Sequence, residues 1–198
     1  MKMDTNDGIA AVRIARSIIT NEVEGKHARY EMPASFDRPY GVFVTINTYP
    51  SLHLRGCIGY PDPVLPLKDV LGPAAISACS DPRFSSLKEN ELDAVVMEVT
   101  ILTPPEQISA AKADLPAAIR IGRDGLMLEY KGRRSVFLPR VPAEQGWDVK
   151  EYLENLCMKA GIGKDRWKEK ECLIFSFRGK IFKETSPNGD ITEETECW

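Results

Sequence analysis

A thiol and a guanidinium stand two residues apart, with glycines on both sides of the thiol, in Leu54-Arg55-Gly56-Cys57-Ile58-Gly59. That pattern suits thiolate chemistry. A free thiol is mostly protonated at neutral pH, and a nearby cation or helix N-terminus makes the thiolate easier to form. On an extended strand alternate residues share a face, so Ser51, His53, Arg55 and Cys57 point one way. Leu52, Leu54 and Ile58 then point the other way, toward a core. Arg55 lies roughly 6.6–7 Å along the strand from Cys57, within reach of a long side chain. Backbone N–H groups near Gly56 and Gly59 are candidates for an oxyanion pocket. His53 is a weaker partner, roughly 13 Å from Cys57 along an extended chain. The other histidine, His27, falls in a loop. The residues by themselves favour a tight bend with a packed thiol, because cysteine is among the most buried residue types. Arg55 would then pair with a carboxylate.

Two further segments bear on an anionic ligand. Asp81-Pro82-Arg83-Phe84 follows a predicted helix, and Arg83 or Asp81 there either lines a site or belongs to a capped helix exit anchored by Phe84. Leu138-Pro139-Arg140-Val141 ends a second hairpin as the thiol segment ends the first. If the two halves are related, Arg140 faces Arg55 and the pair holds an anion. Otherwise Pro139 protects an edge strand and Arg140 is solvated. Trp147 and Trp167 read as packing residues. Residues 120–140 carry six bases (Arg120, Arg123, Lys131, Arg133, Arg134, Arg140) against two acids (Asp124, Glu129), a local basic patch that raises nucleic acid as a partner.

Several chemistries are disfavoured. Two histidines cannot build a three-His zinc site, and neither H-E-x-x-H nor G-x-S-x-G occurs. Neither a G-x-x-x-x-G-K-[ST] loop nor a G-x-G-x-x-G turn occurs. No metal and no cofactor is expected. The five cysteines (Cys57, Cys79, Cys157, Cys172, Cys197) are odd in number and form no C-x-x-C pair, which argues for reduced, mostly core thiols.

The elements that must position these groups follow from pattern. Residues 8–21 place Ile9, Val12, Ala15 and Ile19 near helical spacing. Residues 22–39 are a loop. Residues 41–47 are rich in β-branched types and predict a strand, and a turn around Pro50 leads to a second strand over 52–58. Leu67, Val70, Leu71, Ala74, Ala75 and Ala78 predict a helix, and residues 94–102 alternate as a strand. The second half repeats this order. A strand over 125–130, a turn at 131–134 and a strand over 135–141 precede a helix over 148–160. Asp148 and Glu151 form a capping-box pair at its start, and Gly161 stops it. A last strand region covers 173–182, with a bend at Arg178-Gly179. The fold class expected is α+β, mainly antiparallel: one domain over 1–198 containing two β-β-α-β sub-lobes, roughly 36–105 and 118–184, with a cleft between them. The alternative is coincidence, since hairpin–helix–strand is a common arrangement. Residues 184–198 carry five acids and no base, so 185–198 is expected to be a solvated or disordered acidic tail.

Bulk composition agrees with a globular chain. Its 198 residues are 43% hydrophobic and 28% charged. Those proportions are ordinary for a folded domain. The net charge of −3 provides no global basic field. No apolar run approaches the length of about 20 residues that spans a bilayer. Residues 1–8 lack the basic start and apolar stretch of a signal peptide. No membrane partner is expected, and a cytoplasmic location is.

The ordered set of motifs resembles the AMMECR protein family (named for the Alport syndrome, midface hypoplasia and elliptocytosis chromosomal region), in a prokaryotic member. The hexapeptide at 54–59 is the hallmark, and Asp81-Pro82-Arg83-Phe84, Glu98-Val99-Thr100-Ile101-Leu102, Leu138-Pro139-Arg140-Val141 before Trp147-Asp148, Lys159-Ala160-Gly161 and Trp167 follow in order. Tyr60-Pro61-Asp62 departs from the usual continuation, and so does the tail after Glu184. The resemblance implies two sub-lobes with the hallmark near a cleft, in a family without a settled activity. It also implies pathway partners, a Memo-like protein and a radical S-adenosylmethionine protein. On it rests the leading expectation, a cysteine-dependent enzyme acting on a small or anionic substrate. Cys57 would be its nucleophile, Arg55 its activator, and Arg83 and Arg140 its anion holders, with Gly56, Gly59 and His53 lining the site. The rival is a non-catalytic regulatory or binding module for nucleic acid, a peptide or a Memo-like partner.

Overall fold

Asp4 and Asp7 each accept the other's backbone N–H, a capping box that starts the longest helix. The computed structural model describes residues 3–194. In chain order its elements are α1 (Thr5–Val23), β1 (Gly41–Thr48), β2 (Leu54–Tyr60), α2 (Leu67–Cys79), β3 (Val95–Leu102), β4 (Glu106–Gln107), β5 (Gly125–Tyr130), β6 (Arg133–Phe137), α3 (Arg140–Glu144), α4 (Val149–Lys159), β7 (Leu173–Phe177), β8 (Gly179–Glu184) and β9 (Ile191–Glu194). Short 3-10 turns fill several of the connections. The described residues divide into two units, 3–102 with 180–194, and 103–179.

In the first unit the sheet order is β2-β1-β3-β8-β9. Val42, Val44 and Ile46 of β1 are fully buried, whereas Phe43, Thr45 and Asn47 are only half-buried, so the sheet has one core face and one opposite face. The core face packs on α1 through Ala11, Val12, Ala15 and Ile19, and on α2 through Leu67, Leu71, Ala74 and Ala75. β2 and β3 both run antiparallel to β1 and lie on either side of it, so they are parallel to each other. Parallel strands need a crossover, which α2 provides.

Arg16 locks the first unit from within. Its Nε donates to Glu184 Oε1 at 2.9 Å, and its guanidinium also donates to the carbonyls of Leu92 (3.1 Å) and Val95 (2.7 Å). Glu184 in turn accepts the Met97 N–H at 2.9 Å. The ion pair is buried and its hydrogen-bonding groups are engaged, the condition under which a buried pair is tolerated.

The second unit repeats the connectivity. Hairpin β5–β6 is followed by α3 and α4, and β7 returns antiparallel beside β5, for an order of β4-β7-β5-β6. Its own core gathers Leu126, Leu128, Tyr152, Leu153, Leu156, Cys157 and Ile174. The Asp148–Glu151 capping box starts α4 as the sequence predicts. Both sheets are antiparallel in the pairings that define them, and the α+β expectation holds.

Four expectations change. The strand expected over 173–182 is two strands in two sheets, because the chain leaves the β5–β7 ladder at Phe177 and pairs again from Gly179 in the first unit. The second sub-lobe therefore stops short of the expected 184. The strand expected over 135–141 ends at Phe137, and Arg140 opens the short helix α3 instead. Pro139 has no N–H for the ladder, and its backbone is already helical. The expected disordered tail contains β9, whose Glu193 and Glu194 pair with Lys180 and Lys183 of β8. Two lysines of one strand thus neutralise two acids of the next. The end of that tail, Cys197 included, lies outside the described residues.

Candidate functional site

β2 is an edge strand, so its residues alternately face β1 and the outside of the sheet with their backbone groups. Cys57 lies opposite Thr45, and its N–H and C=O turn outward. Side chains are closest in such a non-hydrogen-bonded pair. Thr45 Oγ1 donates to Cys57 Sγ at 3.3 Å, within the longer range of bonds to sulfur. Cys57 is half-buried, whereas Cys79, Cys157 and Cys172 are buried, so among the described cysteines Cys57 alone is reachable from outside. Burial pushes the Cys79 thiol up to about 11, as expected for an inert core cysteine.

The outward backbone groups of Cys57 are taken by the turn after α2. Asp81 Oδ2 accepts the Cys57 N–H at 2.9 Å, and Arg83 Nη2 donates to the Cys57 carbonyl at 3.2 Å. The two side chains are joined by a fork: Arg83 Nε to Asp81 Oδ1 at 3.0 Å and Nη2 to Oδ2 at 2.7 Å. Asp81 Oδ1 also accepts the Arg83 N–H at 3.0 Å. The Arg83 guanidinium, aided by these backbone donors, holds the buried Asp81 carboxyl well below the usual carboxylate range. Asp81 and Arg83 together stand in for a neighbouring strand at this point of the edge. Arg83 remains exposed, lies near the Phe84 ring, and its Nη1 has no protein acceptor among the described residues.

Arg55 does something else. Between Ile46↔Gly56 and Asn47↔Leu54 the ladder advances one residue in β1 and two in β2, so Arg55 is the extra residue of a β-bulge. The bulge turns its side chain toward the 85–91 segment. There it meets Glu91 in a fork (Nε to Oε1 2.8 Å, Nη2 to Oε2 3.0 Å) and donates to the carbonyls of Ser85 (2.8 Å) and Ser86 (3.3 Å). The guanidinium that meets the Cys57 backbone is that of Arg83, not Arg55. The same bulge reverses the alternation before it. Leu54 pairs with Asn47 and shares its face, so Leu54 is exposed rather than in the core. Leu52 precedes the strand in a left-handed turn conformation and is exposed too.

The glycines answer to packing. A Cβ on Gly56 would lie 2.2 Å from the Ala78 carbonyl oxygen of α2, and one on Gly59 would lie 2.4 Å from the Val42 carbonyl oxygen and 2.4 Å from the Phe43 ring. Close approach of backbone to backbone is sufficient reason for both. His53 is exposed, with its backbone in the turn to Thr48. Arg140 belongs to the second unit, where it faces Glu144 at 3.8 Å. The basic stretch around it is largely committed: Arg123 to Asp124, Arg133 to the carbonyls of Ala160 and Gly161, and Lys131 over the Tyr130 ring.

Pairing also assembles a row that the sequence did not reveal. Thr45 lies opposite Cys57 on one side and Glu98 on the other, so thiol, hydroxyl and carboxylate cross β2, β1 and β3 on the face away from the helices. Alternation in β1 and β3 identifies Thr45 and Glu98 as off-core positions. Only the register places Thr45 beside Cys57 and Glu98 on the far side of Thr45. Among the described residues, no group of three or more His, Cys, Asp and Glu is arranged to hold a metal ion, and no helix is long and apolar enough to cross a membrane.

Fold and site define an α+β protein whose first sheet presents a half-buried thiol on a clamped edge strand. The AMMECR1 family model matches residues 12–182, and the chain belongs to that family. It is 47% identical over 196 residues to a protein of Methanococcus aeolicus, covering 98% of each. It is 46% identical to Protein MJ0810 of Methanocaldococcus jannaschii, covering 95% of each. The crystal structure of the uncharacterized protein PH0010 from Pyrococcus horikoshii matches with a TM-score of 0.73 at 39% identity, covering 98% of this chain and 99% of that one.

Proposed function

We propose that the protein is a cysteine-dependent enzyme acting on a small or anionic substrate, with Cys57 as nucleophile. The observation that carries this reading is the combination at one residue of a reachable thiol, a hydroxyl donor to its sulfur and a clamped backbone. Holding the nucleophile's backbone fixed limits the loss of orientation on reaction. Arg83 takes the role first expected of Arg55. Its outer edge offers two N–H donors and a positive charge to an anionic group beside the sulfur. Arg55 shapes the strand that carries the thiol.

The test is the alkylation rate of every cysteine in the folded protein across pH, read by peptide mass. Cys57 is expected to react first by a wide margin. Reaction of Cys57 only on unfolding overturns the reading and leaves the edge strand as a binding surface for nucleic acid, a peptide or a Memo-like partner.

A further inference from the structure

Cys157, in the last turn of α4, and Cys172, just before β7, are both fully buried in the core of the second unit. Their side chains meet: the Cys172 S–H donates to Cys157 Sγ, which also accepts the backbone N–H of Trp167. Both backbones are pinned. The Cys157 carbonyl accepts the Ile162 N–H at 3.1 Å, the Cys172 N–H donates to the Glu169 carbonyl at 3.1 Å, and Lys112 Nζ donates to the Cys172 carbonyl. The fold thus holds two sulfurs side by side, which is the condition for an S–S bond between them. Apolar packing alone does not account for the arrangement. A thiol packed among apolar groups titrates high, as Cys79 does at about 11. Cys157 is instead drawn below its ordinary value by the donors to its sulfur, Cys172 first. Cys172, whose proton is engaged by Cys157 and whose surroundings are buried, is raised.

We propose that Cys157 and Cys172 form a reversible oxidation site, converted to a disulfide by a small hydroperoxide. Cys157 Sγ attacks one peroxide oxygen and the O–O bond breaks. The other oxygen leaves with the electron pair of that bond and takes the Cys157 proton, so water or an alcohol is released and Cys157 becomes a sulfenic acid. Cys172 Sγ then attacks the Cys157 sulfur. The S–O bond breaks, and hydroxide leaves with the Cys172 proton as water. Altogether two thiols give up two electrons and two protons, and the peroxide is reduced by two electrons. Local opening of the unit admits the oxidant. The disulfide adds no atom to a close-packed core, whereas alkylation or a sulfinic acid adds several. It closes a loop of about 15 residues and ties α4 to the start of β7. The pair lies in the other unit from Cys57, and its oxidation does not depend on whether Cys57 is a nucleophile.

The test treats the reduced, folded full chain with hydrogen peroxide. The chain is then denatured, its remaining thiols are capped with iodoacetamide, and its peptides are mapped by mass. The peptides carrying Cys157 and Cys172 are expected to be joined in most chains, and dithiothreitol should separate them. Recovery of both as capped thiols overturns the proposal. So does their separate oxidation to sulfinic acids, or the linkage of either one to a third cysteine. Two variants assign the order of events. In Cys172→Ser the hydroxyl still donates to Cys157 but cannot form a disulfide, so dimedone should trap a sulfenic acid at Cys157. In Cys157→Ser, dimedone labelling of Cys172 should be about tenfold weaker or less. Equal labelling in the two variants overturns the assignment of Cys157 as the attacking thiol. The peptide map of the parent decides the disulfide by itself, even where a serine variant fails to fold.

Discussion

The Asp81 carboxylate accepts the backbone N–H of Cys57 at 2.9 Å, and the same carboxylate holds Arg83 against the Cys57 carbonyl. A buried acid from one segment thus fixes both outward backbone groups of the thiol residue on another.

Replacing Asp81 with alanine removes the acceptor for the N–H groups of Cys57 and Arg83. Each donor left unsatisfied costs about 1–3 kcal/mol, so a loss of about 2–4 kcal/mol is expected by urea unfolding at neutral pH. The folded-state carboxyl titrates below its unfolded range, so its stabilisation is present above about pH 4 and is lost as pH falls further. The difference between parent and Asp81→Asn should therefore shrink at about pH 3. A gap that widens with acid contradicts the assignment.

Arg55 and Arg83 should separate cleanly. Arg55→Lys keeps the charge but not the planar fork to Glu91. Losing one such charge-assisted bond is expected to cost about 1.5 kcal/mol in stability. Cys57 alkylation in that variant should stay within about twofold of the parent. Arg83→Gln should slow iodoacetate several-fold more than neutral iodoacetamide, and added salt should erase the difference. The opposite pattern restores Arg55 as the activating cation.

Gly56→Ala forces a methyl group to 2.2 Å from the Ala78 carbonyl oxygen, a backbone atom that moves only if α2 moves. Overpacking of this kind costs about 1–3 kcal/mol. The thermal midpoint should fall by several degrees, and Cys57 alkylation should change as β2 shifts. Unchanged stability would mean that α2 and β2 separate freely.

Removing one partner of the buried Arg16–Glu184 pair leaves an uncompensated charge. Arg16→Ala and Glu184→Ala should each cost about 3–5 kcal/mol in urea unfolding. The double variant should cost less than the sum of the two, because the second substitution removes the stranded charge. Additive costs would show that the two side chains do not depend on each other.

Much of the architecture was legible from the chain alone. Helical and two-residue spacings locate α1, β1, α2, β3, β5 and α4, because local periodicity records which side of an element is buried. The hexapeptide marks Cys57 as the residue to watch. Local pattern carries no register, however. A single bulged residue sends Arg55 to Glu91 and Leu54 to the exposed face, against strict alternation. The Asp81–Arg83 clamp joins segments far apart in the chain, and Thr45 reaches Cys57 only through cross-strand pairing. Likewise β8 and β9 return to the first sheet, a pairing that no neighbouring residue announces. The sequence by itself determined the elements and the thiol. Which groups surround that thiol was decided by strand pairing, because hydrogen-bonded ladders join residues by geometry rather than by distance along the chain.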